Sequence, residues 1–209
     1  MKIGEILFMS KQFSKAADEL SRVAQLANQL KAPVQERAAC ALLAQAHGAQ
    51  KNFEAALQFA TRTLQLSQQL KFEQVMAADF YSVGLFNLLQ NKPSEAVAFF
   101  KQASSRVASG GNPGFLKELY FNMGQALLQI GEKGAAEQSL QNAIKPAVEA
   151  KDVQKSRIAY QQLGDLAHAR NEISKSSEMY NNALRIAKES NDKEAQKDIK
   201  RRMKDLKIG

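Results

Sequence analysis

The chain has one cysteine, two histidines and four prolines among 209 residues, and it contains no long uninterrupted apolar run. The lone thiol, Cys40, rules out an internal disulfide and agrees with a reducing compartment. Without an apolar run there is no helical membrane span. The opening stretch MKIGEILFMSKQ is broken by Glu5 and has no small-residue cleavage site, so no secretory signal is expected and a cytoplasmic location is. Metal-ligand spacing, a glycine-rich phosphate loop and a nucleophile motif are all missing, so neither an enzyme nor a cofactor is expected. Glycine and proline cluster only once, at Ser109–Gly114, which is read as the one long connecting turn.

What is present is a repeat. Apolar residues make up 44% of the chain, enough for a packed core, and their spacing recurs every forty residues. The clearest copy runs from Phe80 to Ser104. Phe80, Val83, Gly84 and Asn87 fall on one face of a first helix, and Ala96, Phe100 and Ala103 on one face of a second, which opens at Pro93. Shifting the frame by forty keeps two columns small throughout: Gly4, Ala44, Gly84, Gly124, Gly164, and Ala16, Ala56, Ala96, Ala136, Ser176. Cys40 stands where later copies have Phe80, Tyr120 and Tyr160, and so reads as a buried packing residue; His47 likewise replaces a packing residue.

The pattern predicts one elongated all-α domain over 1–209, with units at about 1–32, 33–72, 73–112, 113–152 and 153–190 and a capping helix at 192–207. Helices are expected at about Val34–Ala49, Phe53–Leu70, Glu73–Gln90 and Pro93–Ala108, with a fourth unit over Phe115–Ala150, in which Pro146 should shorten or kink the second helix, and a fifth over Val153–Glu189. The first unit looks incomplete. Its leading helix is short, and its apolar residues Ile3, Leu7, Phe8 and Met9 suggest a contact surface for a partner or a second copy.

Net charge is +8 and spread along the chain: zero over residues 51–100 and +3 over residues 191–209. In the last helix Ala195, Ile199, Met203 and Leu206 form an apolar stripe. Lys197, Lys200, Arg201, Arg202 and Lys204 lie opposite as a basic patch, fit either for solubility or for an anionic partner. Without interleaved aromatics, nucleic acid is the disfavoured use.

A large residue, a small one four later, an alanine twelve beyond and a large residue four after that resemble the tetratricopeptide repeat, carried best by Phe80, Gly84, Ala96 and Phe100 and by Tyr120, Gly124 and Ala136. The closing proline is missing, and the usual period of about 34 is stretched to about 40, a length that resembles the subclass found in LGN/Pins-type polarity adaptors, kinesin light chains and bacterial peptide-sensing regulators. The resemblance implies a right-handed superhelical solenoid of about five hairpins, its inner wall lined by the first helices. It places Glu5, Phe8, Met9, Ala41, Gln45, Tyr81, Leu85, Leu88, Phe121, Asn122, Gln125, Leu128, Gln161, Asp165 and His168 on that wall. Only Asn122 suits a carboxylate clamp, with no inward Lys or Arg beside it. The expected function is therefore an adaptor that takes a partner helix or peptide across Tyr81, Leu85 and Phe121. The alternative is a peptide-responsive regulator that switches conformation. An Asp165–His168 pair on one helix face is read as solvated rather than catalytic.

Overall fold

The computed structural model describes residues 1–107 and 111–207, and among them every regular element is an α-helix. The chain divides into two compact units, residues 1–107 and 108–209. Unit 1 contains α1 (Lys2–Met9), α2 (Phe13–Gln29), α3 (Pro33–Ala49), α4 (Phe53–Gln69), α5 (Glu73–Leu89) and α6 (Pro93–Ser104). Unit 2 contains α7 (Pro113–Gln129), α8 (Lys133–Glu149), α9 (Val153–Ala169), α10 (Ile173–Glu189) and α11 (Lys193–Asp205). Within each unit every helix packs on the one before and the one after, giving a stack of hairpins. Among the described residues no helix is long and apolar enough to cross a membrane.

From α2 onward a helix begins every twenty residues, which is why the sequence pattern closes every forty. The turns explain this regularity. Lys11, Lys31, Lys51, Lys71, Asn91, Gly131, Lys151, Asn171 and Asn191 all have left-handed backbone angles at the same twenty-residue interval. At each, two amides turn back onto the last helical carbonyls: Lys31 donates to Asn28 at 3.1 Å and Ala32 to Ala27 at 2.8 Å. This Schellman closure satisfies carbonyls that the helix end leaves without donors. The next helix then starts about two residues later, several times under an Asx cap, as where Asp192 accepts from the Ala195 amide at 2.9 Å.

The two small columns are the hairpin contact. A Cβ added to Gly84 would lie 2.8 Å from the Phe100 ring, and one on Gly164 would lie 2.8 Å from Tyr180. Ala16, Ala56, Ala96, Ala136 and Ser176 are each fully buried. Cys40 belongs to the unit 1 core with Leu20, Ala39 and Leu43, as a packing residue should. His47 stacks on Phe59 with ring centroids 5.5 Å apart, at the edge of the core. In unit 2, α11 lays Ala195 and Ile199 on Tyr180, Ala183 and Ala187, with Met203 and Leu206 beside them, and so acts as the cap its stripe implies.

Two expectations need correcting. Pro146 does not shorten α8, which runs its full 17 residues through the proline. Proline lacks one amide donor, and the neighbouring helices hold the segment with Ala143 and Ala147 buried on either side of it. In contrast, α6 is the short helix: it stops at Ser104 after 12 residues, not near residue 108. Residues 108–110, which include the start of the expected turn at Ser109–Gly114, lie outside the described residues; Asn112 then caps α7, accepting from the Phe115 amide at 3.1 Å.

Candidate functional site

In unit 1, α3 and α5 face each other across part of α4 and leave a recess of about 430 Å³. Its walls include Arg37, Ala41 and Gln45 from α3 and Asp79, Tyr81, Ser82 and Leu85 from α5, with Ala60 and Thr63 of α4 at the floor. Ala41, Gln45, Tyr81 and Leu85 are four of the residues expected to face a binding groove, and the fold brings them to one place. Residues 41 and 45 are one turn apart on α3, as are 81 and 85 on α5, so each helix presents one stripe.

The recess is mostly carbon surface because its polar groups are largely satisfied internally. Thr63 Oγ1 donates to the Phe59 carbonyl and Ser82 Oγ to the Ala78 carbonyl, both at 2.9 Å. At one end Arg37 grips Asp79 with Nη2 at 3.0 and 2.9 Å from the two carboxylate oxygens, and its Nε donates to Ser67 Oγ. Ser67 Oγ in turn donates to Asp79 at 2.5 Å. Arg37 is the site residue that sequence reasoning missed. It lies one turn before Ala41 on the same stripe, so an inward-facing arginine does exist, although Asp79 neutralises it. The Tyr81 ring leans on Phe100, centroids 5.8 Å apart.

The other expected groove residues divide by unit. In unit 1, Leu88 is half-buried further along α5, Phe8 packs edge-on against Phe13 with centroids 5.5 Å apart, and Met9 is 80% exposed. In unit 2, Phe121 packs against the cluster of Leu140, Ala159, Leu163 and Leu166, with Lys155 Nζ 5.8 Å from its ring centroid. Gln125 and Gln162 exchange amide hydrogen bonds at 2.6 and 3.1 Å, and Gln161 accepts from Arg157 at 2.8 Å. Asn122 sits half-buried on α7. Around these, Lys117 meets Asp152 at 2.5 Å and Lys155 meets Glu118 at 3.1 Å, so the α7–α9 face is closed by its own charges.

Asp165 is not paired with His168. Its oxygens take Arg202 Nε and Nη2 at 2.9 and 2.7 Å and the Tyr180 hydroxyl. Burial, then the bond to Asp165, raises the Tyr180 pKa. His168 keeps a buried Nδ1 with no partner among the described residues. The same contacts reduce the basic patch: Arg202 is tied to Asp165, and Arg201 meets Asp198 at 2.6 Å. Lys197, Lys200 and Lys204 remain exposed. A more open hollow of about 660 Å³ beside α11 has Arg157, Lys197 and Arg201 among Asp192, Glu194 and Asp198, a balanced rather than a basic lining. Among the described residues no three His, Cys, Asp or Glu side chains converge as a metal site requires.

Residues 117–145, from α7 into α8, match the family model described as tetratricopeptide repeat. No curated protein sequence matches the chain. Solved structures match it in fold. MamA superposes with a TM-score of 0.72 at 16% identity over 92% of this chain and 98% of that one. The nearly identical TPR-like repeats named for a Podosopora anserina kinesin light chain give 0.67 at 16% over 90% and 93%. A Rap protein complexed with competence and sporulation factor gives 0.62 at 17% over 99% of this chain and 62% of that one. Residues 117–145 thus match the tetratricopeptide-repeat model, and the chain shares the helical-repeat fold of these solved structures, here on a forty-residue unit.

Proposed function

We propose that the protein is a non-catalytic interaction module that holds a peptide or helix of a partner protein in the unit 1 recess between α3 and α5. The observation that carries this reading is the convergence of Ala41, Gln45, Tyr81 and Leu85 on one concave, largely apolar surface with a few polar groups at its rim. The likeness to a Rap protein solved with a bound factor supports ligand capture by this fold, and it also favours the regulatory variant, in which capture changes the conformation. That variant predicts a ligand-dependent change in radius of gyration by solution scattering; an unchanged profile counts against it. We place the protein in the cytoplasm, where the buried thiol of Cys40 stays reduced. Ile3, Ile6 and Met9 of α1 with Leu26 of α2 and Leu30 just past its end form an exposed apolar surface suited to self-association, which light scattering across a concentration series would reveal. Nucleic acid is a poor fit, since two of the five side chains of the basic patch on α11, Arg201 and Arg202, are held by aspartates.

The test is to select binders from a displayed library of random short peptides and titrate them against wild type and the Tyr81→Ala, Leu85→Ala double variant. Removing two apolar anchors should weaken binding at least about tenfold while circular dichroism stays the same. Full affinity in the double variant would refute the recess as the binding site.

A further inference from the structure

The exposed apolar residues of α1 and α2 have a specific origin in the repeat. Shifting Ile3 and Ile6 by multiples of forty residues leads to Leu43 and Ala46, Val83 and Phe86, and Leu163 and Leu166, all at most 6% exposed. Those columns are the face by which a leading helix packs on the hairpin before it. Leu43 and Ala46 share a cluster with Ala17 and Leu20 of α2, and Leu163 and Leu166 share one with Leu140 of α8. On α1 the same face meets no earlier helix among the described residues, and Ile3 and Ile6 are 65% and 67% exposed.

A second bare stretch is on α2. α1 has 8 residues where the leading helices α3, α5, α7 and α9 have 17. In the second hairpin the first turns of α3 lie along the second half of α4, where Arg37 donates to Ser67, and Leu66 is 1% exposed. α1 has no such turns. Leu26, the counterpart of Leu66, is 55% exposed, and Leu30 is bare beyond it. The difference of nine residues, 17 less 8, is about 13 Å of helix, and α1 itself is about 12 Å long.

We infer that a second copy of this chain covers both stretches in a closed two-fold dimer, the Ile3–Ile6 stripe of each copy lying on Leu26 and Leu30 of the other. The inference rests on the self-association reading above and names the partner and the pairing. The two stretches answer one another: one is a helix stripe without a row to pack on, the other a row without a helix, of about the length of α1. A two-fold axis makes that contact twice. Ile3, Ile6, Met9, Leu26 and Leu30 together expose roughly 700 Å² per copy, close to the about 800 Å² per partner that a stable interface buries. Charge permits the pairing although the whole chain is at +8. Residues 1–10 carry only Lys2 and Glu5, and no residue from Val23 to Leu30 is charged, so like surfaces meet without net repulsion. The last helix offers no counterpart, because α11 spends Ala195 and Ile199 on its own core and leaves Lys197, Lys200 and Lys204 exposed. Like therefore meets like, and the assembly closes at two copies.

The test is light scattering on the full chain after size exclusion, over roughly 1 to 100 μM. The mass should rise from 23.1 kDa toward about 46 kDa and no further. Ile6→Glu and Leu26→Lys, both at exposed positions, should each leave the circular dichroism and thermal midpoint unchanged and raise the concentration of half-dimerisation at least about tenfold. If the midpoint of the first variant falls, Ile3→Glu takes its place. Mixed in equal amounts, the two variants should recover the dimer, because in the mixed pair the new carboxylate meets the new ammonium and the second contact is that of wild type. Loss in only one variant, or loss in both without recovery on mixing, overturns the pairing and leaves self-association through this surface standing. A wild type that stays at 23.1 kDa, or a dimer untouched by both substitutions, overturns both. Mass that climbs past two copies overturns the closed two-fold form. Peptide titration of the recess, on separate residues of α3 and α5, is independent of all these outcomes.

Discussion

At the scale of single residues, this fold depends on whether a position can hold one more methyl group. Gly84 cannot, because its Cβ would press into the Phe100 ring at 2.8 Å with the Ala96 carbonyl at 3.2 Å on the other side. Gly84→Ala should therefore destabilise unit 1 by about 1 to 3 kcal/mol through overpacking, read as a lower urea midpoint; an unchanged midpoint would show that the hairpin relaxes freely. Cys40 supplies a second reading. Burial, with Glu36 adding to it, pushes its thiol up to about 11, so the native protein should resist alkylation by iodoacetamide at neutral pH and react only as unit 1 opens. Rapid labelling under native conditions would contradict that burial. Both residues were legible in the sequence because they sit in columns that recur every forty positions. Arg37 was not, because its ion pair with Asp79 joins residues 42 apart and no periodic column marks it. For the same reason the Asp165–Arg202 contact, 37 residues apart, could not be foreseen, and Asp165 was assigned to a groove.

At the scale of elements, the left-handed turns end the regular 17-residue helices and the ion clusters tie neighbouring helices together. Lysine in the left-handed region is strained, and Lys51 has φ of 61°. Lys51→Gly should relieve that strain and raise stability by about 0.5 to 1 kcal/mol in urea unfolding, the gain being reduced by glycine's freedom in the unfolded chain. A loss of stability would mean that the lysine side chain contributes packing. The repeated Lys or Asn at these places is visible in the sequence, yet it reads as ordinary surface polarity because lysine is not a usual left-handed residue. In unit 2, Glu137 of α8 takes Lys175 at 2.7 Å and Arg170 beside it. The hydrogen bond from Lys175, assisted by Arg170 against the opposing effect of burial, holds the Glu137 carboxyl below its ordinary value. An acid whose pKa is lower in the folded state adds stability above its unfolded pKa, near 4.3, and that stability is lost as pH falls through the folded value. The urea midpoint of unit 2 should accordingly drop on acidification below about pH 4.3, and Glu137→Gln should flatten that slope. An equal slope in the variant would place the acid sensitivity elsewhere.

At the scale of the molecule, each unit carries its own buried core, around Leu20 and Leu43 in one and around Leu140, Leu163 and Tyr180 in the other. Stability in such stacks comes from each hairpin and its nearest neighbours. Residues 1–107 and residues 108–209, expressed separately, should therefore each give a helical circular dichroism spectrum and a cooperative melt; a fragment that stays unfolded would contradict the division. The repeat, the helix positions and the capping role of α11 could be read from the sequence because local periodicity dictates them. The recess could not, because it joins side chains of α3, α4 and α5, from Arg37 to Leu85, that no periodic column brings together. The most direct measurement is a titration of alanine-methyl-labelled protein with a library-selected peptide, followed by nuclear magnetic resonance. The account predicts shifts concentrated at the methyls of Ala41, Ala44, Ala60 and Ala78, with Ala136, Ala143, Ala183 and Ala187 stationary. Shifts confined to the second group, with the recess methyls unmoved, would contradict it.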